Sequence, residues 1–367
     1  MLEIQRYLTG GGDIAALETT YGITAKRHPR FPQLVLFKYN QIASPMHERI
    51  VQECRGIILD ASDKWRVIGR AFDKFFNHGE GHAAAIDWAT ARYLEKLDGS
   101  LCVVYHYADE WHVATTGTPD AGGDINGQGL RFSDLFWRTW GTKPGGFECS
   151  KSGLCFSFEL MSPHNRVVVV HEAPRLVLLG ARNRETGEEL SAETARIYIE
   201  NDRDVETVRA FPLGGIEDIA ASFASISPLA QEGYVVVDAA FRRIKVKHPG
   251  YVALHHAKDG MSQRAFVAIA QSGEVSEVIA AFPEFKPLLD ETRARFDALC
   301  AEVEADYARL RGIETQKAFA LEAVKTRCSA ALFAVRAGKA ASVRAYFAGA
   351  AVDQMMRLLG YKVEQGQ

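Results

Sequence analysis

Long apolar runs are missing from this sequence. No stretch approaches the roughly 18 apolar residues that a membrane-spanning helix requires. The opening residues, Met1-Leu2-Glu3-Ile4-Gln5-Arg6, carry no basic segment followed by an apolar one. A cytoplasmic protein with no membrane contact is therefore expected. Cysteine is scarce and unpatterned. Cys54, Cys102, Cys149, Cys155, Cys300 and Cys328 include no Cys-x-x-Cys and stand in no zinc spacing with histidine. Most lie in apolar runs and read as buried thiols of a reducing compartment. There is no His-Glu-x-x-His; His164, at a turn, and His255 and His256, at a strand end, read as structural or surface residues. Neither charge is in excess: 43 basic side chains face 46 acidic ones, formal net −3. That excludes nucleic-acid binding by bulk charge and leaves only a local patch. No repeat or low-complexity linker interrupts the 367 residues, which suffice for two domains with sizeable cores.

What is present is a strand-rich part followed by a helical one. Apolar runs bounded by turn residues predict strands at 34–39, 54–60, 65–70, 72–77, 90–94, 101–107, 111–116, 154–160, 166–170, 176–182, 232–238 and 241–247. Residues 117–129 read as a glycine- and aspartate-rich loop. Helical spacing predicts helices at 1–9, at 130–140 with Phe132, Leu135, Phe136 and Trp140 on a core face, at 191–201 with Ser191 as cap, and at 216–225. From about Met261 glycine thins and alanine rises. Helices are expected at 283–310, 316–335, 340–348 and 352–359, with Leu288, Leu289, Phe296, Leu299 and Val303 as apolar positions. The expected fold class is α+β: an antiparallel-sheet domain over 1–258, then an all-helical C-terminal domain over 259–367.

The most informative stretch is Glu95-Lys96-Leu97-Asp98-Gly99-Ser100, just after the predicted strand 90–94. A lysine nucleophile must lose its proton, and a free side chain with a pKa of about 10.4 rarely does so at neutral pH. Nearby cations and partial desolvation favour that loss. Alone the stretch is weak, because Asp-Gly is ordinary turn chemistry and a solvated turn explains it equally well. Its company is more telling. Arg55 interrupts an apolar strand, and Lys74 stands between aromatics; each either snorkels to solvent or has a partner. Glu159, Glu232, Lys245 and Lys247 lie on strands or strand ends, and alternation puts Arg243, Lys245 and Lys247 on one face. Several cations and a few acids on one scaffold suit a polyphosphate with a hydrated divalent metal. Gly99 and Gly233 would allow close backbone approach.

The order Lys96-x-Asp98-Gly99, Phe156-x-Phe158-Glu159, Glu232-Gly233-x-Val235, Lys245-x-Lys247 resembles the covalent nucleotidyltransferases, the ligases and capping enzymes. Glu53-Cys54-Arg55-Gly56-Ile57, Lys74-Phe75-Phe76-Asn77, Asn165-Arg166-Val167-Val168 and Glu185-Thr186-Gly187-Glu188 are similar, more narrowly, to the bacteriophage-type RNA ligase 1 family. The resemblance covers roughly residues 30–258, and several motifs in order are far more specific than one. It implies an ATP-grasp-like nucleotidyltransferase domain, with ATP and Mg2+ (or Mn2+) as cofactors. It implies an RNA 5′-phosphate and an RNA 3′-hydroxyl as the ends joined, in RNA or tRNA repair. Lys96 would form a lysyl-AMP. Arg55 and Lys74 would grip the departing pyrophosphate. Glu95 would lie in the nucleotide site. Glu159 would hold ribose or a metal water, and Glu232 the metal. Val235 would pack on adenine. Lys245 and Lys247 would contact the α-phosphate, stabilise the transition state and, with Arg55, favour the neutral form of Lys96. Asp98 would orient the lysine loop.

One position departs from the pattern. Phage-type members carry a basic residue just before the glycine matching Gly117, and here it is Thr116. A helical appendage favours the RNA ligases over the alternatives, a DNA ligase or a GTP-using capping enzyme. A non-catalytic RNA-binding protein on a ligase scaffold is a third reading. Lys317, Lys325, Arg327, Arg336, Lys339 and Arg344, with only Glu322 opposing nearby, form either an RNA-backbone footprint or a solvated helix face. A monomer is expected, with room for an end-healing kinase or phosphatase partner.

Overall fold

Strand alternation decides what each face of the first unit covers. The computed structural model describes residues 1–41, 43–200, 205–258, 262–273, 275–281 and 285–362. The chain divides into two units, Met1–Lys247 and His248–Gln367. In the first, β1 (Ile23–Arg27), β2 (Leu34–Tyr39), β3 (Arg55–Asp60) and β4 (Arg66–Gly69) form an antiparallel sheet in sequence order. Val35, Phe37, Ile57 and Leu59 face one way, under the helices Glu3–Thr9, Ile14–Tyr21 and Arg49–Glu53. Leu34, Leu36, Ile58 and Ile68 face the other way, against Val103, Tyr105, Ala114 and Cys155 of a second sheet.

The next strands are β5 (Phe76–Asn77), β6 (Arg92–Lys96), β7 (Ser100–Tyr107), β8 (Glu110–Thr115), β9 (Leu154–Met161), β10 (Arg175–Asn183), β11 (Glu189–Ser191), β12 (Ala210–Phe211), β13 (Gly233–Val237) and β14 (Arg243–Lys247). The second sheet runs β11-β10-β9-β7-β8 and is antiparallel. Its outer face buries Val104, Phe156, Phe158 and Leu160 with Leu135, Phe136 and Trp140 of the helix Phe132–Trp140. The third sheet runs β12-β6-β13-β14-β5, antiparallel except for β14 beside β5. One of its faces packs Tyr93, Tyr234, Val236 and Ile244 on Ile219 of the helix Ile216–Ser222. By the period of two, the opposite face carries Arg92, Leu94 and Lys96, Val235 and Val237, and Arg243, Lys245 and Lys247.

A chain of ion pairs ties these parts together. Asp73 accepts from Arg49 at 2.6 Å, Arg70 at 2.8 Å and Arg182 at 2.7 Å. Arg182 of β10 also pairs with Glu189 of β11, which pairs with Arg243 of β14 at 2.5 Å. Burial alone would raise the Asp73 carboxyl, but three arginines outweigh it and hold it at about 2.

Several elements differ from expectation. Thr90 closes a turn on Asp87 at 3.2 Å, so β6 starts at Arg92 and Lys96 ends the strand rather than following it. Only Phe76 and Asn77 of the stretch 72–77 are in a strand. Arg166–Val170 has strand composition yet forms none, because the Val168 and Val169 amides serve a carboxylate instead of a ladder. The helix expected over 191–201 spans Ala192–Arg196, capped by Ser191; residue 201 lies outside the described residues. Residues 255 and 256 sit within the helix Pro249–Lys258, not at a strand end. That helix packs on Gln263–Ser272 of the second unit, which is why the units divide ahead of it rather than after residue 258. All six cysteines are free, and only Cys149 is partly exposed.

In the second unit, Gln263–Ser272 buries Phe266, Val267 and Ile269 and touches Pro249–Lys258, Lys286–Leu310 and Val352–Leu358. Lys286–Leu310 buries Leu289, Phe296, Leu299 and Val303 at three- and four-residue spacing, while Leu288 is exposed; residues 283 and 284 lie outside the described residues. The stretch 316–335 is two helices, Gln316–Ala323 and Ser329–Arg336. Val343–Ala348 lies within the stretch expected at 340–348. No helix among the described residues is long and apolar enough to cross a membrane.

Candidate active site

The face of the third sheet not used for packing is the floor of a cleft. Arg92, Leu94 and Lys96 of β6, Val235 and Val237 of β13, and Arg243 of β14 line it from below. Leu101 of β7, Glu159 of β9 and Leu179 of β10 line it from the second sheet, with Arg55, Phe72 and Phe75. The cleft encloses about 750 Å³, open solvent included, in the range of small-molecule sites. Its make-up is an apolar slot, from Leu94, Leu97, Leu101, Leu179, Val208 and Val235, with cations along one side.

Lys96 ends β6 opposite Gly233, whose other neighbour is Lys247. That register brings both ammonium groups to one carboxylate. Lys96 Nζ donates to Glu232 Oε2 at 2.6 Å, and Lys247 Nζ lies 2.9 Å from Glu232 Oε1. Lys96 is therefore an ion-paired ammonium, and it must release both its proton and Glu232 before it can attack anything. The chain then crosses from the third sheet to the second through Leu97-Asp98-Gly99. Buried Asp98 accepts from the Val168 amide at 2.8 Å and the Val169 amide at 2.7 Å, while its carbonyl lies 3.0 Å from His171 Nε2. Asn165 holds the next residue, donating to Ser100 Oγ at 3.0 Å and the Leu160 carbonyl at 2.7 Å. The segment 162–171 thus straps the lysine turn in place. At Gly99 a Cβ would stand 2.5 Å from the Leu160 carbonyl. The close approach expected there is to β9, not to a ligand.

Arg55 reaches the cleft because of a bulge. Phe37 pairs with Ile57 but Lys38 pairs with Arg55, so Gly56 is an extra residue. It sits at φ +82°, where an L side chain is strained, and a Cβ would come within 2.8 Å of Thr116 Cα. The extra residue breaks the alternation that would have pointed Arg55 the same way as Ile57, under the helices. Arg55 instead lies over the Phe75 ring at 5.0 Å, and its buried Nη1 has no hydrogen-bond partner. Lys74 places its ammonium 5.2 Å from the Tyr39 ring and 5.5 Å from that of Phe76.

These groups act on one another's protons. Burial first, then Lys74, Lys96, Lys247 and Arg55, push the Lys245 ammonium down to about 8. Burial raises the Glu159 carboxyl to about 7; Lys96 and Arg55 oppose that rise, and Glu232 and Asp98 add to it. Glu159 is thus close to half-ionised at neutral pH. Of the expected site residues, the fold therefore gathers Arg55, Lys74, Lys96, Glu159, Glu232, Lys245 and Lys247, with Val235 in the slot. Glu95 also lines the cleft, but burial raises its carboxyl among charges of another group: Arg175, Arg209, Glu206 and His171. Arg92, Phe75, Phe241 and Arg243 line the cleft outside the expected set. Alternation with Lys245 is the signal that points to Arg243. No group of three or more metal-ligating side chains occurs among the described residues.

Two further expectations concern charge. At Thr116 the backbone is pressed against Gly56, and the Lys38 ammonium comes within 3.8 Å of where a side chain at Gly117 would begin. In the helical unit, Arg327 pairs with Glu302 at 3.0 Å and Arg344 with Asp297 at 2.7 Å. Lys325 meets Glu322 at 2.6 Å, and Arg336 donates to the Ile313 and Glu314 carbonyls. The long helix Lys286–Leu310 supplies acids that a count over the local sequence leaves out.

A family model described as RNA ligase, of the phage T4 RNA ligase 1 type, matches residues 53–251, more than half of the chain. The chain belongs to this RNA ligase family. The span matched to the RNA ligases holds every expected site residue from Arg55 to Lys247. The RNA ligase of Rhodothermus phage RM378 is 30% identical over 284 residues, 61% of this chain and 64% of that one. A protein of Autographa californica nuclear polyhedrosis virus, named as a bifunctional polynucleotide kinase/RNA ligase, is 27% identical over 314 residues, 79% of this chain and 43% of the relative. The chain thus spans less than two thirds of the length of either relative. Among solved structures, an archaeal ATP-dependent RNA ligase aligns with TM-score 0.46 at 15% identity, covering 81% of each chain.

Proposed function

We infer that this chain is an ATP-dependent RNA ligase that joins a 5′-phosphate end to a 3′-hydroxyl end. The observation that carries the reading is the convergence of Lys96 with Lys245, Lys247 and Arg55, drawn from three stretches of chain, beside an apolar slot. In the proposed reaction the neutral Lys96 amine attacks the α-phosphorus of ATP. A nitrogen–phosphorus bond forms, the bond to the bridging oxygen breaks, and pyrophosphate leaves. The RNA 5′-phosphate then takes the AMP from the lysine. A 3′-hydroxyl attacks that activated phosphate, AMP departs, and the strand is sealed. The route splits one hard displacement into easier ones.

Within it, Lys245 and Lys247 hold the α-phosphate oxygens and meet charge that builds in the transition state. Arg55, with an unsatisfied buried Nη1, and Lys74 take the departing pyrophosphate. Val235 and the leucines of the slot accept the base, and Glu159 the ribose. Asp98 fixes the lysine turn. The carboxylates fit a divalent cation of the magnesium type, held by one or two acids and mostly by water and phosphate. Such an ion would supply charge neutralisation at the phosphates. Glu232 is the carboxylate for it, and its engagement there would release Lys96 from the ion pair. The same proposal covers a cytoplasmic monomer acting in RNA repair, with end healing by a kinase or phosphatase partner.

Incubation with α-labelled ATP tests the core of this. Label is expected to stay on the wild-type protein through denaturation and to be absent from Lys96→Ala. It is then expected to pass to a 5′-phosphorylated RNA. Label retained by Lys96→Ala, or taken from GTP instead of ATP, would overturn the assignment.

A further inference from the structure

We propose that Lys38 is a further phosphate ligand, taking the terminal phosphates of the nucleotide together with Arg55. Lys38 is the cross-strand partner of Arg55, and such neighbours stand about 5 Å apart, close enough for one polyphosphate to touch both. The register that turns Arg55 into the cleft sets Lys38 on the same side. Phe37 faces the helices over the first sheet, so Lys38, next along the strand, faces away from them. Its ammonium stands by the Thr116-Gly117 backbone.

Two observations point to an anion there. The Arg55 Nη1 is buried with nothing to donate to, a state that is costly unless a ligand supplies the acceptor. Half-buried Lys38 has no acid partner among the described residues, whereas Arg49, Arg70, Arg182 and Arg243 of the same unit are all ion-paired. The two donors are cross-strand neighbours. Their chemistry suits a doubly charged phosphate group. The assignment rests on the reading of the cleft as a nucleotide site.

The test uses the full chain and two probes, inorganic pyrophosphate alone and a 5′-phosphorylated oligoribonucleotide. Each is titrated calorimetrically into wild type, Lys38→Met and Lys38→Arg, with labelling by α-labelled ATP run in parallel. Methionine keeps the apolar stem and removes the charge, so thermal unfolding should not move. Pyrophosphate affinity is expected to fall about tenfold in Lys38→Met, the loss of one charge-assisted hydrogen bond, and to return in Lys38→Arg. Oligonucleotide affinity should change less than about twofold, well under that loss. If wild type takes label but pyrophosphate affinity is the same in all three proteins, Lys38 is not a ligand. A loss confined to the oligonucleotide gives Lys38 to the polynucleotide instead; that outcome, or a wild type that binds no pyrophosphate, overturns the assignment. If the pyrophosphate loss appears while wild type takes no label, Lys38 stands and the transfer reaction falls.

Discussion

Two groups of cations lie near each other in the strand-rich unit, and they are neutralised to different degrees. Around Asp73 and Glu189, each of Arg49, Arg70, Arg182 and Arg243 has a carboxylate at 2.8 Å or closer. Around Lys96 stand five cations: Lys96 and Lys247 pair with the one carboxylate of Glu232, and Arg55, Lys74 and Lys245 pair with no acid among the described residues. Glu159, the second carboxylate there, is raised to about 7 and carries only part of a charge. The first group is complete once the chain has folded. The second is held in mutual repulsion, which folding alone does not relieve, and an arriving phosphate would. That contrast separates scaffold from site without any ligand in view.

The sharpest way to break the comparison is to remove one cation from each group. Lys245→Met should leave thermal unfolding unchanged or raise its midpoint, because burial and four cations already disfavour the Lys245 charge. Labelling by α-labelled ATP should fall about 10²–10³-fold, the scale for losing one preorganised transition-state donor. Equal labelling in that variant would return Lys245 to the scaffold.

Asp73→Asn should do the reverse. It leaves two buried arginines, Arg70 and Arg182, and the half-exposed Arg49 short of a charge, and denaturant unfolding should show a loss of about 3–5 kcal/mol, while labelling per folded molecule changes little. The wild type should also lose stability in acid. The folded value of about 2 lies below the ordinary aspartate value of 3.8. The contribution, about 2 kcal/mol, is therefore full above the unfolded value and is lost as pH falls from about 5 through 2. Asp73→Asn should flatten that slope, and a wild type as stable at pH 2.5 as at pH 6 would contradict the network.

Sequence carried the site further than the frame around it. Lys96, Glu232 and Lys247 could be collected because motif order survives along the chain. Their meeting depends on register, with Gly233 between Lys96 and Lys247, and register is a long-range property that no local window contains. The bulge at Gly56 was equally hidden. Strand alternation sends Arg55 the wrong way, and only the packing of Thr116 on Gly56 shows why an extra residue is there. The four valines after Arg166 read as a strand, since composition cannot report that Asp98, far earlier in the chain, takes the amides of the middle two. The Asp73–Glu189 chain left no trace at all, because its members are scattered and each alone looks like a surface charge.

A milder test sharpens the contrast by titration. Between about 8 and the ordinary lysine value of 10.5, Lys245 is neutral in the folded chain and charged in the unfolded one. Stability from this group therefore rises with pH across that window. Anion binding goes the other way: pyrophosphate affinity should fall about tenfold as pH rises past 8, the loss of one charge-assisted contact. Bound phosphate itself favours the ammonium, so the midpoint should lie above 8. In Lys245→Met the profile should be flat there, and an unchanged slope would place the titrating group elsewhere.

The smallest effect is expected in the helical unit, where the basic stretch resembles the Asp73 group more than the Lys96 group. Arg327 and Arg344 are half-exposed and already paired, with Glu302 and Asp297. Exposed pairs of this kind contribute about 0–1 kcal/mol, so neither arginine is held ready for a phosphate, and an RNA backbone would first have to displace a carboxylate. Arg327→Ala and Arg344→Ala should each change the affinity for a single-stranded RNA less than about threefold, a change within that same range. They should also leave its salt dependence alone. A true backbone contact behaves differently: its removal lowers the slope of log affinity against log salt by about one. Such a drop in either variant would mean that the acids of the long helix are exchangeable counter-ions rather than partners. The local count of basic residues would then have been a better guide to RNA binding than the pairing in the fold.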